Sequence, residues 1–309
     1  MKLIIDTDPG VDDAIAIALA HALPDVDLIG MTAIFGNTFV TQSSRNARYL
    51  CDLFGMDVPV AEGAALPYGA ETYAPSDYVH GPEGLGDITD IPQIGANDPR
   101  DAATFLCEMA AAHKGELTIC AIGPLTNIAD AIARDPAFAS NVKSLVIMGG
   151  AYQHAGNVTP FAEANIIHDT AAADVAFGSD MAITMVGLDA TMKTLLTPED
   201  FTTLAGNAPK VGGFIDRISQ FYLEFYRSVG VTNGCPMHDA LAVLACTNPE
   251  KFSFEHIGIK VTQSGDEIGA TRADKNRKPV AIAMDCDADW AVRVMMERIS
   301  SLGQAFAQI

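Results

Sequence analysis

Short apolar, β-rich runs alternate with helix-length segments along nearly the whole chain, and this alternation limits the possible folds more than any other feature. "KLIID" reads as a first strand, and a Pro-Gly turn leads into a helix over about 12–22. "VDLIGMTAIFG" and "VPVAEG" read as strands, with the helix "TFVTQSSRNARYLCDLFG" between them, closed by Gly55. Beyond residues 63–98 the pattern resumes with helix 99–113, strand "ELTICAIG", helix 124–134 and strand "VKSLVIMGG". A loop over 151–167, a helix from Thr170 and strand "MAITMVGLD" follow. "TPED" opens a further helix, with Thr197 as N-cap and Pro198 at its first position. An amphipathic helix over 211–229 precedes "GCPMHDALAVLAC", whose second half is helical; strands near 255–262 and 279–285 and a terminal helix complete the chain. No internal repeat interrupts the pattern. Alternation of this kind predicts an α/β fold, an open and mostly parallel sheet with helices on both faces.

Ligands of such sheets bind outside the carboxyl ends of the strands. Asp8, Asn37, Gly123, Gly149, Gly150 and Asp189 all fall at predicted carboxyl ends, so they are expected to converge on one edge. Residues 63–98, rich in Gly, Pro, Tyr and Asp, make a connection too long to be a plain link. A functional loop or lid is expected there.

"DTDPGVDD" sets Asp6, Asp8, Asp12 and Asp13 at the junction of the first strand and first helix. Helix N-termini favour carboxylates, but a cap needs only one. Carboxylates this close repel one another and resist desolvation, so a partner cation is expected. Oxygen ligands without nearby Cys or His favour calcium or magnesium over zinc. "MHDALA" places His238 and Asp239 at a second helix start; an Asp there is an ordinary cap, and beside the first cluster it becomes a fourth carboxylate for the ion.

Thirty-nine acids against 19 Lys plus Arg give a formal charge of -20, which disfavours nucleic-acid polymers and anionic membranes and suits neutral ligands or cations. Six cysteines show no CxxC pair; Cys107 and Cys120, in apolar stretches, read as buried thiols. The first strand begins at Lys2, leaving no room for a signal peptide, and no apolar run reaches about 18 residues. A reduced, soluble, cytoplasmic protein is expected.

"DTDPGV" also fits the Asp-x-Asp start of magnesium-dependent phosphatases of the haloacid-dehalogenase type, where Asp6 would be the nucleophile. That scheme needs a later lysine and a downstream acidic pair, and it leaves Asp12 and Asp13 without a role. His80, at the head of the glycine-rich "HGPEGLGD", is either an inconsequential loop histidine or a ligand contact. In "GNVTPFAEAN", Asn157, Glu163 and Asn165 are turn formers, or an acid and amides suited to vicinal hydroxyls.

"DTDPGVDDA", "HGPEGLG", "AIGPLTN", "GNVTPFAEAN" and "MHDALA" occur in the order found in the inosine-uridine-preferring nucleoside hydrolases, which the chain resembles over essentially its whole length. The resemblance implies one Rossmann-like nucleoside hydrolase domain over 1–309 that hydrolyses ribonucleosides to ribose and free base with bound calcium. It implies that Asp8, Asp13 and Asp239, with the main-chain carbonyl of Ile122, hold the ion, and that Asp8 is also the general base. Asp12, Asn157, Glu163 and Asn165 would hold the ribose, with Asn37 near the attacking water. His238, and more loosely His80 and Tyr226, would lie near the base. A homodimer or homotetramer is also implied. Histidine ordinarily titrates at about 6.5, so His238 is expected to protonate the departing base. Few aromatics, and a lone Trp290 outside the pocket, point to a pyrimidine or broad inosine-uridine preference. A non-catalytic protein that binds nucleoside or ribose remains a further alternative.

Overall fold

Lys2–Thr7, strand β1, is the axis of the molecule: Leu3 and Ile5 are buried in one hydrophobic core and Ile4 in another, one on each side of the sheet. That period-2 split is what a doubly covered strand requires. The computed structural model describes residues 1–306. β2 (Asp27–Ala33) and β4 (Leu117–Ala121) flank β1, and β3 (Val60–Glu62), β5 (Ser144–Met148) and β6 (Ile183–Val186) extend the sheet, all in parallel. Val280–Cys286 adds a parallel strand beside β6, and Phe252–Ile257 closes the eight-stranded sheet as its antiparallel edge.

The helices Val11–Ala22 and Val40–Phe54 belong to one core, whereas Ala102–Ala112, Thr126–Arg134 and Thr170–Phe177 belong to the other. The chain therefore changes faces between β1 and β4. Loops leaving these two neighbours diverge, and a crevice opens between them at their carboxyl ends.

The expected elements are present with shifted ends, and three differ in kind. The expected strand over 255–262 breaks at Gly258; Phe252–Ile257 stays in the sheet, while Ile259–Val261 pairs with Thr271–Ala273 in a separate ribbon. A side chain at Gly258 would collide with the carbonyl of Asp274, so the kink needs glycine there. The long 63–98 loop contains a helical turn, Asp77–His80, and the loop over 151–167 ends in the helix Ala164–His168.

Candidate active site

Asp8 leaves the end of β1, and the helix Val11–Ala22 begins three residues on. Its first free N–H groups are met by unusual partners. Gly10 N–H donates to Asp13 Oδ2 (2.9 Å), and Val11 N–H donates to His80 Nδ1 (3.2 Å), reaching in from the long loop. That bond makes His80 Nδ1 an acceptor, leaving the ring proton on Nε2. Burial holds the His80 pKa down at about 3, so its 3.8 Å approach to Asp12 is not an ion pair.

Asp8 is fully buried, and Gly36 and Gly123 press against it: a side chain on either would run into its carboxylate. Asn37 N–H donates to Asp8 Oδ2 (2.6 Å), while Asp8 Oδ1 is buried with no partner among the described residues. Asp13 accepts from Thr7 Oγ1 (2.5 Å) and from Asn37 Nδ2 (3.1 Å). Asp239, in the first turn of the helix His238–Thr247, touches the Asp13 carboxyl group. Carboxylate oxygens of Asp12, Asp13 and Asp239 lie within 4.8 Å of one another.

Burial raises the pKa of Asp8, Asp12, Asp13 and Asp239, Asp12 to about 8, and repulsion among the acids adds to it for Asp8, Asp12 and Asp239. Such a cluster stays ionised only beside a cation. The unpartnered Asp8 oxygen and the Ile122 carbonyl, which spends one lone pair on Asn165 Nδ2 (2.9 Å), complete an oxygen-only donor set. Nearby imidazoles are committed elsewhere: His80 Nδ1 to Val11, His238 Nδ1 to Thr191 Oγ1 (2.7 Å) and His238 Nε2 to Tyr226 Oη (2.7 Å). The residues therefore fit a hard divalent cation rather than zinc.

Above the acids opens a cavity of about 330 Å³, within the range of about 300–1,000 Å³ usual for small-molecule sites. Asp12, Asn37, Ile122, Asn165 and Asp239 line its floor side by side with Glu163 and Asn157; His80, Tyr226 and His238 also line it. Asp8 and Asp13 lie outside the lining and bond to Asn37, which is part of it.

Hydrogen-bond accounting gives the cavity its polarity. Asn165 spends its Nδ2 on the carbonyls of Ile122 and Met148 (3.1 Å), so its oxygen is left to accept. Glu163 caps the helix Ala164–His168, accepting from Asn165 N–H (3.0 Å), Ile166 N–H (3.2 Å) and Gly150 N–H (2.9 Å). A carboxylate has about four acceptor positions, so one remains for a ligand. Asn157 accepts from Ala164 N–H (3.0 Å), which leaves its amide to donate. An acceptor-rich floor suits a polyol.

The opposite wall is aromatic. Tyr222 and Tyr226 sit one turn apart on the helix Val211–Ser228, and the Tyr222 hydroxyl donates to Asp12 Oδ2 (3.2 Å). Tyr78 and Phe225 meet at the rim with ring centroids 6.0 Å apart. Tyr78, Tyr222, Phe225 and Tyr226 thus gather on one wall of the cavity, although aromatics are few in the chain as a whole. Sequence reasoning missed Tyr222, although its four-residue spacing from Tyr226 on an amphipathic helix carried the signal. His154, Thr191 and Phe225 carried none. The expected near-neutral titration of His238 is also corrected: burial lowers its pKa to about 4.

Asp189 reaches the expected edge and serves the main chain there, accepting from Tyr152, Gln153 and His154 N–H groups. Trp290 is not part of the cavity wall. Asp6 is fully buried and accepts from Thr32 Oγ1 (2.5 Å) and Asn127 Nδ2 (2.7 Å), with no access to the cavity. That position does not suit the nucleophile of a phosphatase.

A doubly wound α/β sheet thus carries buried acids beneath an acceptor-rich cavity at its switch point, the place where such sheets bind small molecules. The chain belongs to the inosine-uridine preferring nucleoside hydrolase family, whose model matches residues 3–293, and it is a nucleoside hydrolase. It is 37% identical to uridine nucleosidase 1 of Arabidopsis thaliana over 96% of this chain and 93% of that one. It is 34% identical to the inosine-uridine preferring nucleoside hydrolase of Leishmania major over 96% of this chain and 98% of that one. A solved structure, the purine-preferring ribonucleoside hydrolase of Gardnerella vaginalis, superposes with a TM-score of 0.95 at 33% identity, covering 99% of this chain and 100% of that one.

Proposed function

We propose that the protein is a calcium-dependent hydrolase that cleaves the N-glycosidic bond of uridine and inosine to ribose and free base. The observation that carries this reading is the oxygen-only acidic cluster, with its unpartnered Asp8 oxygen, directly under a cavity rich in acceptors. Asp8, Asp13, Asp239 and the Ile122 carbonyl are the residues that would hold the ion. Calcium, when bound, supplies the positive charge that keeps the acids ionised and draws sugar oxygens towards them.

Asp8 takes the proton of the attacking water as general base. Asn37, its amide nitrogen committed to Asp13, offers its oxygen to steer that water. Asp12, Asn157, Glu163 and Asn165 hold the ribose hydroxyls, and the buried carboxylates favour the oxocarbenium-like charge that develops as the bond breaks. On the base side, His80 retains a free Nε2–H. His238 works through Tyr226, whose hydroxyl shares its Nε2. The preferences in the names of these relatives span uridine, inosine and purines, and the mixed Tyr and His wall supports broad uridine and inosine turnover. The six free cysteines support a reducing compartment, the cytoplasm, and a homodimer or homotetramer follows from the family resemblance.

Incubation with uridine, inosine and cytidine, followed by a reducing-sugar assay, tests the proposal. Ribose release from uridine and inosine is expected; no ribose from any of the three overturns it.

A further inference from the structure

Tyr73, in the long loop, is not part of the cavity lining, yet its hydroxyl donates to the carbonyl of Gly36. Gly36 is the residue packed so tightly on Asp8 that no side chain fits there. Its carbonyl and the N–H of Asn37 belong to one rigid peptide unit, and that N–H is the donor to Asp8 Oδ2 at 2.6 Å. An unbroken chain thus runs from the Tyr73 hydroxyl through a single peptide plane to the carboxylate of the general base. Hydrogen bonds in series through a buried peptide polarise and align one another.

The tyrosine is itself held. Its ring meets Phe35 edge-on at 4.9 Å, and its oxygen lies 3.4 Å from His168 Nε2, at the far end of the short helix that carries Asn165. His168 Nδ1 is buried without a partner among the described residues. The tautomer with its proton on Nε2 lets His168 donate to Tyr73 while Tyr73 donates to Gly36.

We propose that Tyr73, backed by His168, is a positioning residue that fixes the Gly36–Asn37 peptide and thereby aims Asp8 and the attacking water at the sugar. The inference rests on the hydrolase reading and concerns the water side of the bond, not the base side.

Tyr73→Phe keeps the ring packing and removes only the hydroxyl. Turnover of uridine is expected to fall about tenfold, the equivalent of one hydrogen bond of about 1.4 kcal/mol, with KM within about twofold of the parent. The same loss is expected with 4-nitrophenyl riboside, whose leaving group needs no protonation; Tyr226→Phe should impair uridine far more than the aryl riboside. His168→Gln, which keeps an N–H donor, should retain most activity, and His168→Leu should lose severalfold. Full activity in Tyr73→Phe overturns the inference. So does a loss confined to uridine, a loss carried by KM, or a melting temperature lowered by more than about 4 °C, which marks a merely structural role. A parent protein inert towards both substrates defeats the hydrolase reading itself and this inference with it.

Discussion

Among single residues, those that would hold the ion are distinct from those that would help the base depart. Asp13 accepts from Thr7 and Asn37 while touching Asp239, so losing its charge leaves the cluster a ligand short. Asp13→Asn is expected to lose bound metal and on the order of 10³-fold in turnover, read by elemental analysis beside the uridine assay. His238→Ala should keep the metal and lose on the order of 10²-fold or more. Equal metal loss in both would undo the separation. Asp6→Asn tests the phosphatase alternative. Its two donors keep an acceptor, and the new buried N–H₂ costs about 1–3 kcal/mol of stability. Nucleoside hydrolysis within about tenfold of the parent is expected, with no phosphate released from sugar phosphates by either protein.

Two caps show how local chemistry sets what the elements do. Thr197 was readable: "TPED" forms a capping box with Asp200, and Thr197→Ala should cost about 1 kcal/mol in urea unfolding and leave kcat/KM unchanged. Glu163 was not readable as a cap, because glutamate is a poor N-cap residue and its second role, on the cavity wall, gave no separate pattern. Glu163→Ala should cost about 1–2 kcal/mol and also raise the KM for uridine, since Asn165 rides on the helix it caps. The strands and long helices were legible because apolar periodicity reports burial on the two faces of the sheet. The break at Gly258 and the turn Asp77–His80 were not, since each depends on tertiary contacts. For Gly258 the contact is the Asp274 carbonyl, and for the turn it is His80 Nδ1 on Val11.

Across the whole molecule, the reversal of strand order between the parallel neighbours β1 and β4 brings Asp8, Ile122, Asn165 and Asp239 together from four separate stretches of sequence. Alternation plus acids at strand ends made that convergence legible. The aromatic wall was only partly legible: Tyr222 shares a helix face with Tyr226, whereas Phe225 looks like an ordinary residue of an amphipathic helix. The formal charge of -20 has its own consequence. Uridine 5′-monophosphate is expected to show kcat/KM at least about 10²-fold below uridine, with the gap narrowing as salt screens the repulsion; a gap independent of salt would assign the discrimination to shape alone.

The most direct test of the cation-centred site is metal removal from the intact protein. After dialysis against a calcium-selective chelator, residual uridine hydrolysis should fall in proportion to the calcium lost and return when one calcium per chain rebinds. Undiminished turnover in protein stripped of divalent metal would contradict the account.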